Sequence, residues 1–225
     1  MTQDIKTICL RLPLRIGSVN CYLIKTDTSY ILIDSGYKNG RAVLEKELDQ
    51  AGCKPGNLKL VILTHGDFDH TSNAAYLRNK FGAKISMHYD DSGMVEHGDM
   101  FWNRKKPNRL MKIIFDLVFG MKESDRFKPD VSVEDGQDLS EYGYDAKVIF
   151  IPGHSKGSIG ILTASGDLFC GDLLVNTDKP VLNSMLEDPD SASASVNKLK
   201  SMAINTVFPG HGRPFQMKQF INPIP

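Results

Sequence analysis

Four times along this 225-residue chain an apolar run ends beside a glycine or proline and then delivers a histidine or an aspartate. Leu58–Leu63 runs into Thr64-His65-Gly66-Asp67-Phe68-Asp69-His70, and Val148–Ile151 into Pro152-Gly153-His154. Leu168–Cys170 runs into Gly171-Asp172, and Thr206–Phe208 into Pro209-Gly210-His211-Gly212. Each run reads as a buried strand, and the small residues at its end let backbone approach closely. The first loop is the densest. Side chains alternate along extended backbone, so His65 and Asp67 point to one side, and a turn into a following helix brings Asp69 and His70 to a second point nearby. Such a loop can feed two adjacent metal positions with imidazole and carboxylate ligands suited to zinc, iron or manganese. Taken alone it also reads as a polar loop tip whose acids cap the next helix. His154, Asp172 and His211, taken singly, read as surface histidines and a turn acid; their coincidence carries the weight. His88 and His97 lack this context and are expected to be structural or surface residues.

The rest of the chain reads as strands and helices in alternation. Val19–Lys25 and Tyr30–Asp34, parted by Thr26-Asp27-Thr28-Ser29, predict a hairpin. Arg41–Ala51 predicts a helix stopped by Gly52, and Asn73–Phe81 one closed by Gly82. Lys84–His88 reads as a strand. The stretch His97–Lys128 breaks the pattern: it holds the only Trp and mixes a basic cluster with an apolar run, and it predicts a helical insertion. Val131–Val133, Ala146–Ile151, Ile159–Thr163 and Asp167–Cys170 predict the strands of a second half, and Ser191–Ala203 a helix. Two halves of strands with helices outside suggest two packed sheets flanked by helices. The expectation is one domain over residues 1–225 with the insertion at 97–128.

Composition narrows the function classes. Lys plus Arg equals Asp plus Glu at 27 each, so no global field draws nucleic acid or a membrane surface. The N-terminus has no signal-peptide pattern and no stretch approaches a spanning helix. The four cysteines are widely spaced with no C-x-x-C pair, and a cytoplasmic protein with reduced thiols is expected. Neither a G-x-S-x-G elbow nor a G-x-x-x-x-G-K-[ST] loop is present.

The string LTHGDFDH, followed in order by PGHSKGS, GD and PGHG, closely resembles the metallo-β-lactamase superfamily, whose usual pattern is H-x-H-x-D-H and then a His, an Asp and a final His. Leu32-Ile33-Asp34-Ser35-Gly36 resembles the family's strand-to-turn element ahead of that loop. The resemblance spans about Val19 to Gly212. It implies an α/β fold, a four-layer αββα sandwich with the site along one edge where the sheets meet. It implies two divalent metal ions, zinc most often in the family: one on His65, Asp67 and His154, the other on Asp69, His70 and His211, with Asp172 bridging. Asp69 and Asp172 take the catalytic roles, Asp69 orienting the nucleophile. The activity implied is that of a metal-dependent hydrolase, a metal-bridging hydroxide attacking a small ester, lactone, thioester or phosphoester.

Asp67 departs from the pattern, where His is usual; flavodiiron proteins are similar in having a carboxylate there, though theirs is Glu. Two divalent ions, three aspartates and one hydroxide sum to zero formal charge, whereas His at 67 would leave one positive charge. A hard oxygen ligand also favours iron or manganese over zinc. A di-iron redox or oxygen-handling protein is therefore the alternative. Only a short tail follows His211, where glyoxalase II enzymes carry a helical recognition region, so that branch is expected to stand apart. No cysteine lies in a ligand motif, unlike the zinc β-lactamases. Lys156 follows a metal His closely and is a candidate for binding an anionic substrate group, or a solvated loop lysine. The apolar residues of Met100–Met121 would serve a lid over a small-molecule substrate, a homodimer contact or a packed helix. Arg104, Lys105, Lys106, Arg109 and Lys112 read as a solvated helix face before they read as a nucleic-acid surface.

Overall fold

The structure, a computed structural model, describes residues 4–221. β1 (Asp4–Arg11) pairs antiparallel with β2 (Ser18–Lys25), and β3 (Tyr30–Ile33) folds back on β2 as the hairpin pattern predicts. Helical crossovers then make the sheet parallel. α1 (Arg41–Gln50) leads to β4 (Leu58–Ile62); α2 (Phe68–Thr71) and α3 (Ala74–Phe81) lead to β5 (Lys84–Met87). α3 stops at Gly82, which takes the left-handed conformation (φ 73°) that glycine tolerates best. α4 (Tyr89–His97) and α5 (Arg109–Phe119) precede β6 (Val131–Ser132), and the strand order is β1-β2-β3-β4-β5-β6.

The second sheet is built from β7 (Ala146–Phe150), β8 (Ile159–Thr163) and β9 (Asp167–Gly171). A two-stranded ribbon, β10 (Leu174–Val175) and β11 (Val181–Leu182), and then α6 (Pro189–Lys200) separate these from β12 (Thr206–Pro209) and β13 (Phe215–Gln216); α7 (Met217–Ile221) follows. The order is β13-β12-β9-β8-β7, antiparallel except for β9 beside β12.

Side-chain alternation sorts these strands into layers. In β2 and β3, Cys21, Leu23 and Leu32 pack with Leu44 and Leu48 of α1 and Leu77 of α3. Their neighbours Tyr22, Ile24, Ile31 and Ile33 face Val148, Ile159, Ile161 and Phe169 of the second sheet. The far side of that sheet, with Ile149, Ile151, Leu168 and Val207, packs on Ala192, Val196 and Leu199 of α6. The result is the expected helix–sheet–sheet–helix sandwich. Strands buried on both faces need apolar residues at every position, which is why β3 reads as a continuous run and β4 as one broken only at the exposed Lys59.

Three expectations are corrected. Val131–Val133 was expected to open the second half, yet Val131 and Ser132 pair in parallel with Ser86 and Met87 and so close the first sheet. A two-residue pairing is set by the neighbouring strand rather than by its own sequence. The segment from His97 is not an insertion from its first residue: His97 ends α4, and Gly98 terminates that helix in a left-handed turn. The helical part is α5, whose Leu110, Met111, Ile113 and Leu117 are exposed; the side chains of Ile114, Val118 and Phe119 lie outside the described set. The basic cluster is likewise not one solvated face. Lys105, Lys106 and Arg109 are exposed and Lys112 pairs with Asp99 and Asp116, but the Arg104 side chain is only 12% exposed. The four cysteines are free, and among the described residues no helix is long and apolar enough to cross a membrane.

Candidate metal centre

His65, Asp67, Asp69 and His70 follow β4; His154 follows β7, Asp172 follows β9 and His211 follows β12. All four strands end at one edge of the sandwich, so their loops converge. The PGHG loop is drawn onto the first sheet: Asn20 N donates to Gly210 O at 2.8 Å, its side chain donates to Pro209 O and Gly212 O, and the Tyr22 hydroxyl donates to Pro209 O at 2.6 Å. Gly210 is there because nothing larger fits: a Cβ would stand 2.2 Å from Asp172 Oδ1 and 2.6 Å from His70 Cε1.

Two triplets of donor atoms result, His65 with His154 and Asp172, and Asp69 with His70 and His211, the atoms of each lying within 4.8 Å of one another. Asp172 touches both: Oδ1 lies 3.3 Å from His70 Nε2, and Oδ2 lies 3.1 Å from His211 Nε2 and 3.9 Å from His154 Nε2. Asp69 Oδ2 lies 3.4 Å from His211 Nε2. Asp67 belongs to neither triplet. Its Oδ2 is 3.1 Å from His154 Nε2 and 3.8 Å from His65 Nε2, while its Oδ1 meets Arg104 Nη1 at 2.5 Å.

Each imidazole is oriented through its other nitrogen. His154 Nδ1 donates to Met185 O at 2.7 Å and His211 Nδ1 to Ser18 O at 2.6 Å. His70 Nδ1 donates to Asp34 Oδ2 at 2.8 Å. The Thr64 hydroxyl donates to Asp34, so its oxygen is left to accept from His65 Nδ1 at 3.0 Å. With every Nδ1 carrying the proton, every Nε2 lone pair faces the common space, the arrangement that metal-bound histidines use. His65 Nε2, His70 Nε2 and Asp172 Oδ1 are buried and make no hydrogen bond. Buried polar atoms without partners are rare, and here they converge with three carboxylates, so the donor set fits divalent cations.

Without cations the carboxylates hold protons on the imidazoles. Burial lowers His211, but Asp172 and Asp69 raise it further, to about 10. Burial likewise opposes, and the Asp172 and Asp34 carboxylates outweigh it, for His70, which is raised well above its ordinary value; His154 is raised by Asp67 and Asp172. His65 goes down through burial and the neighbouring His70 and His154. Burial raises Asp172, and His211 and His70 overcome it to hold the carboxyl well below the usual range. A pH dependence follows for the metal-free protein. A folded value of about 10 against an ordinary 6.5 for His211 means stabilisation that is complete below 6.5 and lost as pH rises to 10. Thermal melts after exhaustive chelation should therefore fall between pH 6.5 and 10, whereas metal-loaded protein should change less. Equal slopes would show that these histidines carry no such protons.

Sequence reasoning missed the residues behind the ligands. Asp34 lay in a noted motif but without a role. Asp91, in the first turn of α4, is fully buried and accepts from Gly66 N at 2.9 Å, Gly157 N at 2.8 Å and Ser155 Oγ at 2.6 Å. It thereby clasps the His65 loop to the His154 loop. Its only sequence signal is an acid near a helix start, which is commonplace. Lys156 is half outside, donating to Asn103 O at 2.6 Å and lying 3.6 Å from Glu187 Oε1. Cys170 is buried and its thiol is pushed up to about 12, first by burial, and it joins neither triplet.

Comparison with known proteins agrees with this geometry. The family model of the metallo-beta-lactamase superfamily matches residues 14–211. Hydroxyacylglutathione hydrolase GloC of Haemophilus influenzae is 30% identical over 167 residues, 72% of this chain and 70% of that protein. YqjP of Bacillus subtilis, named a probable metallo-hydrolase, is 25% identical over 97% of this chain and 74% of its own length. The crystal structure of TTHA1623 in a di-iron-bound form superposes with a TM-score of 0.70 at 25% identity, covering 93% of this chain and 96% of that one. The chain therefore belongs to the metallo-beta-lactamase superfamily, as one of its metallo-hydrolases.

Proposed function

We propose that this metallo-hydrolase cleaves a small carboxylic ester or thioester, thioester first, at a centre of two divalent cations. One cation takes His65, His154 and Asp67, the other Asp69, His70 and His211, with Asp172 shared. The observation that carries this reading is the set of four imidazoles whose Nδ1 atoms are spent on fixed partners and whose Nε2 atoms converge on three carboxylates. When bound, such cations acidify water and polarise a carbonyl oxygen.

The chain's own residues do the rest. Asp172, held between the two triplets, fixes their spacing. Asp69, 21% exposed at its side chain, turns Oδ2 toward His70 and His211 and is the carboxylate of the set most open to solvent, the one placed to orient a water beside the centre. Asp34 and Thr64 hold the rings of His70 and His65 against rotation, so that the nitrogen lone pairs are preorganised. Buried Cys170 is no nucleophile at neutral pH.

Thioester is placed first because GloC, a hydroxyacylglutathione hydrolase, is 30% identical over 72% of this chain, which supports a place near the glyoxalase II branch. Iron is placed ahead of manganese and zinc on two supports: the oxygen ligand at position 67 and the di-iron form of TTHA1623. Purified protein should bind close to two ions per chain by elemental analysis. A turnover screen over thioesters, lactones and phosphodiesters with each metal should find thioester hydrolysis fastest, lost on chelation and restored by metal. A firm content of one ion would remove the shared-Asp172 arrangement. Two ions without turnover, but with reducible di-iron optical and paramagnetic signals, would replace hydrolysis by a redox function.

A further inference from the structure

Arg104 is the one cation of the basic stretch that turns inward. It precedes α5, its side chain is 12% exposed, and it lies between two carboxylates: Nη1 on Asp67 Oδ1 at 2.5 Å and Nε 3.5 Å from Glu187 Oε2. The guanidinium and Glu187 thus belong to one assembly with the neighbouring Met185, whose carbonyl orients His154. Burial works against the charge on Arg104, but Asp67 and Asp91 strengthen it; the same guanidinium, against the opposing effect of burial, holds the Asp67 carboxyl far below its usual range.

We propose that Arg104 is the positioning residue and built-in counter-ion of Asp67, so that the Asp67–Arg104 pair does electrostatically what a neutral histidine does elsewhere in the family. This rests on the reading of His65, His154 and Asp67 as ligands of one cation. A carboxylate can embrace a cation with both oxygens or offer one. Arg104 occupies Oδ1 and leaves Oδ2 turned toward the Nε2 atoms of His65 and His154, so Asp67 offers a single donor, as a histidine would. The charge argument runs in parallel. Asp67 alone adds one negative charge to the centre, and the buried guanidinium returns one positive charge where screening by water is weak. Arginine suits the task because its planar fork addresses two carboxylates at once and it stays protonated. The added negative charge that Asp67 brings to the bare ligand count is thus offset by a residue 37 positions away.

The test uses full-length protein freed of metal, with zinc alone as the probe and a chromophoric chelator as competitor. Arg104→Gln removes the charge; Arg104→Lys keeps it. Arg104→Gln should tighten the zinc-binding step that involves Asp67 by about tenfold, since a repelling charge is withdrawn from a partly buried site. Arg104→Lys should stay within about threefold of the parent, because the charge is kept. A merely structural role would treat Lys and Gln alike. That result overturns the inference while leaving the metal centre in place. A parent that binds neither zinc nor iron overturns both this inference and the proposed function.

Discussion

Asp172→Ala should empty the metal centre as a unit, lowering affinity for both ions by more than about a hundredfold and abolishing turnover with them. Losses of 10–100-fold are typical when a group behind a ligand is removed, and Asp172 stands nearer than that. One oxygen faces His70 and the other faces His211 and His154, so a single side chain reaches both triplets. Its truncation also leaves the imidazoles that Asp172 holds protonated without their main counter-charge, so the metal-free variant should lose the stability decline between pH 6.5 and 10 expected of the parent. Asp172→Asn keeps the volume and separates charge from packing. Elemental analysis after dialysis, with circular dichroism to establish that the chain is folded, reads the result. Two ions retained at parent affinity would deny Asp172 its shared role.

The second large effect belongs to a residue that stands in neither metal-ligand triplet. Asp91→Ala should destabilise the protein by about 3–5 kcal/mol, because it deletes a buried carboxylate and strands the donors it satisfied. Gly66 N, Gly157 N and Ser155 Oγ all point at it. Asp91→Asn should recover little, since its amide group would turn a donor toward donors. Urea denaturation of the metal-free protein should show a lower midpoint at unchanged slope, as expected for a change in stability alone. A loss below about 1 kcal/mol would mean that water replaces the carboxylate and that the clasp is dispensable.

These residues show where the sequence is readable. His65, Asp67, Asp69, His70, His154, Asp172 and His211 stand at the ends of apolar runs, and a strand end marks its own place in the fold, so their convergence could be anticipated. The sheets were legible for the same reason, since β3 and, apart from Lys59, β4 are buried on both faces. β1 was not, because its exposed residues break the apolar run and only Ile8 and Leu10 are buried in its second half. α4 was not, because Tyr89-Asp90-Asp91-Ser92-Gly93 has weak helical preference and is secured by the His88 cap and by Asp91. Arg104 was visible as a charge, but its neighbours Lys105 and Lys106 are exposed, and nothing local distinguishes the one member of the cluster that folds inward. Asp67 was visible as a departure, while its compensation lay in a segment read as peripheral.

Gly210 and its neighbours are held to β2 while His211 follows β12, and each donor triplet takes members from loops of both sheets. Each bound cation would therefore be a cross-link between the two halves of the sandwich, and because its ligands are assembled only in the folded chain, its binding free energy would add to the stability of the fold. On that footing catalysis and architecture share one fastening: an ion lost from the site is also a hold lost between the two sheets at this edge, where the apolar core and the Asn20 and Tyr22 hydrogen bonds then carry the seam alone.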